Sequence, residues 1–101
     1  MLAEFSIVPI GKDVSLSKYV AKSLDLIDKS GLGYRINPMG TVVEGNWDEV
    51  MGLIKKSHDV ILKESERVVT TIKIDDRKGV TNALNRKIKS VEEKLGRELK
   101  K

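Results

Sequence analysis

The sequence predicts an α+β sandwich of order β-α-β-β-α-β, with one four-stranded antiparallel sheet, two helices over one face and a further helix at the C-terminal end. Three observations predict it. Residues 2–10 and 67–75 alternate with a period of two, as half-buried strands do. The segments between them carry apolar residues three and four apart, as helices do. The second and third strands are separated only by Pro38-Met39-Gly40, a turn too short for anything but an antiparallel hairpin.

Residues 2–10 alternate, with Ala3, Phe5 and Ile7 on one side and Glu4, Ser6 and Val8 on the other, and Gly11-Lys12-Asp13 ends the strand. Ser15 is placed to cap a helix running to Lys29, whose stripe is Leu16, Val20, Leu24 and Ile27, and Gly31 stands where a helix-ending glycine is expected. Tyr34 to Asn37 and Thr41 to Glu44 form the hairpin. Asn46 followed by Glu49 has capping-box spacing, and the helix it opens runs to about Lys63 with Trp47, Val50, Ile54 and Ile61 on one face. Arg67 to Asp75 alternates again as the fourth strand, with Val68, Thr70, Ile72 and Ile74 against Val69, Thr71, Lys73 and Asp75. A last helix is expected from about Thr81 to Leu95, closed by Gly96. Two β-α-β halves meeting at a hairpin give a ferredoxin-like sandwich, in which the first and third strands are central.

The chain of 101 residues fits one domain spanning 1–101, since two would each be too small to hold a core. Its hydrophobic fraction of 40% and charged fraction of 34% are those of a globular chain with a charged surface. There is no cysteine, which excludes disulfides and thiolate metal sites and favours a cytoplasmic setting. The apolar N-terminal run is interrupted by Glu4 and has no basic stretch before it, so neither a leader nor a membrane span is expected. A net charge of +4 permits nucleic-acid binding without demanding it.

Two helices cannot cover both faces of a four-stranded sheet. The open face is expected to carry Glu4, Ser6, Arg35, Asn37, Glu44, Val69, Thr71 and Lys73, and Val8 and Val42 add apolar surface to it. That mixture suits either a solvated face or one packed on another chain with polar residues lining a pocket between them. The last helix presents Leu84, Ile88, Val91 and Leu95, a narrow stripe spaced like a coiled-coil seam. That helix either packs at the sheet's edge in its own chain or docks on a partner chain, where each such side chain contributes on the order of 1.5–3 kcal/mol before entropy costs. Self-association as a dimer or tetramer through the open face and this helix is therefore expected.

Catalytic chemistry is hard to assemble. His58, the one histidine, lies beside the apolar stripe of its helix and reads as a core-flanking residue. Asp75 and Asp76 are adjacent on a strand end and point to opposite sides, which suits a solvated ion pair with Arg77 better than a metal site. Gly31-x-Gly33 falls short of a phosphate-binding loop. No catalytic residue, metal or cofactor is expected, and the chain does not read as an enzyme. RNA-recognition modules of this topology stack bases on aromatics of the central strands. Here Thr41–Glu44 has no aromatic and Phe5 faces the helices, so nucleic-acid binding, through the basic tail, is the weakest reading.

One cluster has binding chemistry. Asn37, Thr41, Glu44 and Trp47 surround the hairpin, and Ser6 shares its open face from the neighbouring strand. Asn, Thr and Ser exchange hydrogen bonds with a heteroaromatic ring, Trp offers a stacking or cation–π wall, and Glu44 meets a cation or a ring nitrogen. From spacing alone an ordinary turn with Trp47 plugging the core beneath it is the simpler explanation.

Ala3-Glu4-Phe5-Ser6-Ile7-Val8-Pro9-Ile10-Gly11, the hairpin from Tyr34 through Pro38-Met39-Gly40-Thr41-Val42-Val43-Glu44-Gly45, and Arg67-Val68-Val69-Thr70-Thr71-Ile72-Lys73-Ile74-Asp75-Asp76-Arg77, taken with Lys89-Ser90-Val91-Glu92-Glu93-Lys94-Leu95, resemble the small thiamine-binding family, long classed as an uncharacterised protein family. The resemblance spans nearly the whole chain. It implies a ferredoxin-like subunit, sheets pairing into dimers and dimers into a tetramer, and a pocket near the open face for thiamine or its hydroxymethylpyrimidine half. The function it leads us to expect is non-catalytic binding in transport, salvage or sensing. The alternative is a regulatory or structural homo-oligomer holding another ligand or an anion at a subunit interface, with Arg35 or Arg77 as the anion's partner.

Overall fold

The computed structural model describes residues 1–11, 16–79 and 96. Within them the chain runs β1 (Leu2–Ile10), α1 (Leu16–Lys29), β2 (Gly33–Asn37), β3 (Gly40–Glu44), α2 (Trp47–Lys63) and β4 (Arg67–Asp75). The strands form one antiparallel sheet of order β2-β3-β1-β4, so β1 and β3 are central as expected. The expected C-terminal helix, with its stripe of Leu84, Ile88, Val91 and Leu95, lies outside the described residues, as does the Ser15 cap.

Register follows the hydrophobic alternation. Ala3 stands opposite Val43 and Ile74, and Phe5 opposite Thr41 and Ile72, which puts all six side chains on the face that α1 and α2 cover. Ala3, Phe5, Ile27, Val43, Val50, Leu53 and Ile54 close into one buried cluster, with Ile7, Leu24 and Leu32 against it. The other face carries Glu4, Ser6, Val8, Arg35, Asn37, Val42, Glu44, Val69, Thr71 and Lys73, by the same register.

Local chemistry fixes the ends of the helices. Gly31 takes φ 78°, a left-handed turn out of α1 that a side chain would strain. Asn46 and Glu49 form the capping box: the Asn46 side chain accepts from the Glu49 amide at 2.9 Å, and the Asn46 amide donates to the Glu49 carboxylate at 3.1 Å. His58 meets the Thr70 hydroxyl at 2.7 Å through Nδ1, tying α2 to β4.

Two apolar residues leave the positions their helical stripes predict. Trp47 is 54% exposed at the first turn of α2 and does not plug the core. Val50, Leu53, Ile54 and Ile61 are the buried apolar residues of that helix. Val20 is half exposed, while Leu24 and Ile27, further along α1, reach the core.

Candidate functional site

The candidate site arises from a mismatch in strand length. β1 has nine residues and β4 pairs along all of it, whereas β3 has five. The β1–β3 ladder therefore stops at Phe5 opposite Thr41, where Pro38 and Met39 turn the hairpin back. Beyond that point a notch opens along β1. It is a cleft of about 460 Å³ walled by β1, the middle of α1, the hairpin tip and Ile61 of α2.

Ser6, Asn37 and Thr41, three of the five residues singled out from the sequence, line this cleft. They come from both sides of the sheet: Ser6 and Asn37 lie on the open face, and Thr41 on the helix-covered face beside Phe5 and Ile36. The other two are elsewhere. Glu44 ends β3 opposite Leu2 and Gly33, four residues and therefore ~13 Å along the strand from Gly40. Trp47 follows it at the start of α2. Arg35 sits mid-strand on the open face, and Arg77 lies beyond the end of β4 and is exposed.

Sequence reasoning missed the contribution of α1. Val20, Ser23 and Leu24 form the wall facing the hairpin, and Ile36 and Met39 line the cleft from the hairpin side. Val20, Ile36 and Met39 are 50%, 55% and 89% exposed, so the mouth is rimmed by apolar side chains that have no core to join. A signal was available: a nine-residue strand beside a five-residue one must leave an unfilled edge.

The lining has simple chemistry. Hydroxyls of Ser6, Ser23 and Thr41 and the Asn37 amide supply donors and acceptors, and Phe5, Leu24 and Ile61 supply apolar surface. This is the composition of a small-molecule site, with a largely apolar wall and a few directional polar groups. The perturbed titrations lie outside it. The Asp28 carboxylate accepts a 2.9 Å hydrogen bond from the Tyr34 phenol and pushes that phenol's pKa up. Hydrogen bonds from Lys22 and Lys55 pull the Glu64 and Asp59 carboxyls down. Among the described residues no three His, Asp or Glu side chains converge as a metal site, and no helix is long and apolar enough to cross a membrane. A second groove, of about 360 Å³, lies between the end of α1 and the start of α2 and holds none of the predicted residues.

The profile of the thiamine-binding protein family matches residues 3–92. The chain belongs to that family. MJ1052 of Methanocaldococcus jannaschii, a member of the uncharacterised family UPF0045, is 43% identical over 93 residues, covering 92% of this chain and 93% of the relative. Its crystal structure superposes with a TM-score of 0.82 over 91% of this chain and 95% of that one. A UPF0045 protein of Methanothermobacter thermautotrophicus is 41% identical over 96 residues, covering 92% of this chain and 97% of the relative. A Thermotoga maritima protein provisionally assigned to thiamine biosynthesis or salvage shares the fold, with a TM-score of 0.77 at 23% identity over 89% of this chain and 96% of that one. Family membership supports a small-molecule binding role.

Proposed function

We propose that this protein is a non-catalytic binding protein for thiamine or its hydroxymethylpyrimidine half, acting in transport, salvage or sensing in the cytoplasm. The observation that carries this is the cleft at the end of the β1–β3 ladder, where Ser6, Asn37 and Thr41 meet an apolar wall in a volume of about 460 Å³. That volume lies in the range of small-molecule sites, roughly 300–1,000 Å³. A pyrimidine presents flat apolar faces and a polar edge, and this lining offers partners to both.

The element order and the sheet order β2-β3-β1-β4 support a ferredoxin-like subunit. The open face, with exposed Val8 and Val69, supports pairing with a second copy into a dimer or tetramer. In this reading Glu44, on the same open face but at the far end of β3, serves a ligand charge from across that pairing, with Trp47 beside it. The stripe of Leu84, Ile88, Val91 and Leu95 contributes to the assembly, so Ile88→Asp dissociates the oligomer and leaves a folded subunit.

Isothermal titration with thiamine, hydroxymethylpyrimidine and thiamine phosphates tests the proposal. Saturable binding at one ligand per chain or per pair of chains supports it. A folded protein that takes none of them refutes it. A preference for the phosphate-bearing ligands moves the assignment to the regulatory alternative, which Arg35 on the open face favours.

A further inference from the structure

The cleft contains a hydrogen-bonding group that no side-chain inventory shows. The Gly45 amide donates to the Met1 carbonyl at 3.1 Å, one step beyond the pairing of Leu2 with Glu44. Met1 and Gly45 are therefore a hydrogen-bonded pair, and pairs of that kind recur at every second residue of an antiparallel ladder. Odd-numbered residues of β1 thus turn both backbone groups toward β3, and even-numbered ones toward β4. Ala3 and Phe5 find their partners in Val43 and Thr41. Ile7 is next in phase, and β3 has already ended. Its N–H and C=O point side by side into the cleft, which Ile7 lines, with no backbone partner among the described residues. Pro9, the following residue in phase, has no N–H to leave unpaired there, a placement that suits an open strand edge.

A buried or half-buried backbone pair without partners is costly, and ladders end where something else can satisfy it. We propose that the ligand's ring completes the ladder: a ring nitrogen accepts from the Ile7 N–H while the adjacent exocyclic amino group donates to the Ile7 C=O. This rests on the assignment of the cleft to a pyrimidine ligand, and it specifies which edge of the ring is read. A 4-aminopyrimidine edge has that acceptor beside that donor, and a strand residue presents the complementary donor and acceptor. Val20 from α1 and Met39 from the turn stand at the mouth with their apolar surface exposed, placed to cover the ring's faces once its edge is paired. Unbranched Met adapts to such a surface at little cost.

The pairing makes the site selective for donor–acceptor order. Thiamine and its 4-oxo analogue differ at that edge, where the oxo form reverses the order and sets its oxygen against the Ile7 carbonyl. Titrating the full-length protein with both, and following the Ile7 amide by hydrogen exchange in NMR spectra with and without thiamine, tests it. The expected result is at least tenfold weaker binding of the oxo form and protection of the Ile7 amide by thiamine. Ile7→Pro deletes the donor in the phase that Pro9 already tolerates and also trims Ile7 from the core it packs against, so it is compared with Ile7→Ala, which loses the same packing and keeps the amide; thiamine should bind the folded alanine variant more tightly than the folded proline variant. Equal affinity for the two ligands, or an Ile7 amide that exchanges at the same rate in both states, overturns the pairing while leaving the binding assignment intact. If neither ligand binds, the binding assignment falls and the pairing with it.

Discussion

Replacing Ser57 with alanine should make this protein more stable. Ser57 lies in the buried stripe of α2 with Val50, Leu53, Ile54 and Ile61, is fully buried, and its hydroxyl oxygen has no hydrogen-bond partner. A buried hydroxyl left unsatisfied costs about 1–3 kcal/mol of desolvation. Ser57→Ala removes that cost and gains up to about 0.5 kcal/mol of helix propensity. Lost packing around one atom offsets part of the gain, which leaves a net stabilisation of about 1 kcal/mol. In a domain of this size that raises Tm by ~4–8 °C. The assay is urea and thermal unfolding of both proteins at one fixed concentration, since assembly would make Tm depend on concentration. A neutral or lower Tm for Ser57→Ala would show that the hydroxyl is bonded, and the assignment of α2's buried face would need revision.

Other perturbations separate the site from the scaffold. Asn46→Ala removes the side-chain half of the capping box and should cost about 1 kcal/mol by urea unfolding. Thr41→Val keeps shape and strand propensity but deletes the hydroxyl, so calorimetry should show thiamine binding weakened by about 2- to 12-fold, the worth of one neutral hydrogen bond. Glu44→Gln should weaken binding without altering the elution volume on size exclusion, and unchanged affinity would remove Glu44 from the site. Lys22 donates to Glu64 at 2.7 Å and holds its carboxyl below the usual range. That contribution to stability is present above the ordinary carboxylate pKa and is lost as pH falls through the depressed value. In Lys22→Met an NMR titration of Glu64 should move up toward the ordinary value; if it stays low, the charge of Lys18 is the controlling influence.

The four strands and the first two helices were legible because each carries its own period and its own punctuation. Phe5 alternates into the core, Asn46 and Glu49 announce the start of α2, and Gly31 announces the end of α1. What was not legible depends on where one element stops against another. The helical stripe put Trp47 and Val20 in the core, since periodicity reports a face and not how far along a helix that face stays covered. The hairpin cluster was half legible for the same reason. Asn37 and Thr41 are close in sequence and flank one turn, whereas Glu44 is close in sequence but a full strand length away. Ser23 could not be found from any motif, because only the packing of α1 beside the hairpin brings it to the cleft.

Gly40 links the scaffold to the site, and its substitution is the sharpest test of how the notch is built. It begins β3 where the ladder ends, and a Cβ placed on it would lie 3.1 Å from the Phe5 carbonyl oxygen and 3.4 Å from the Glu4 side chain. The tighter neighbour is backbone of the central strand and has no rotamer to move away. Gly40→Ala must therefore push the hairpin tip a few tenths of an ångström from β1. The shift strains the last pair, Phe5 with Thr41, which borders the cleft, while the rest of the sheet and the buried cluster stay in place. Overpacking of this kind typically costs about 1–3 kcal/mol. Affinity should fall as well, because Thr41 and Asn37 move with the tip while Ser6 and Ile7 do not. Measuring both distinguishes the two effects: urea unfolding reports the strain, and titration at a temperature where both proteins are fully folded reports the cleft. Weakened binding in a folded protein means that the end of the ladder shapes the site. Full affinity despite lower stability would mean that the ligand does not span the gap between β1 and the hairpin, and the cleft would lose its claim to be the binding site.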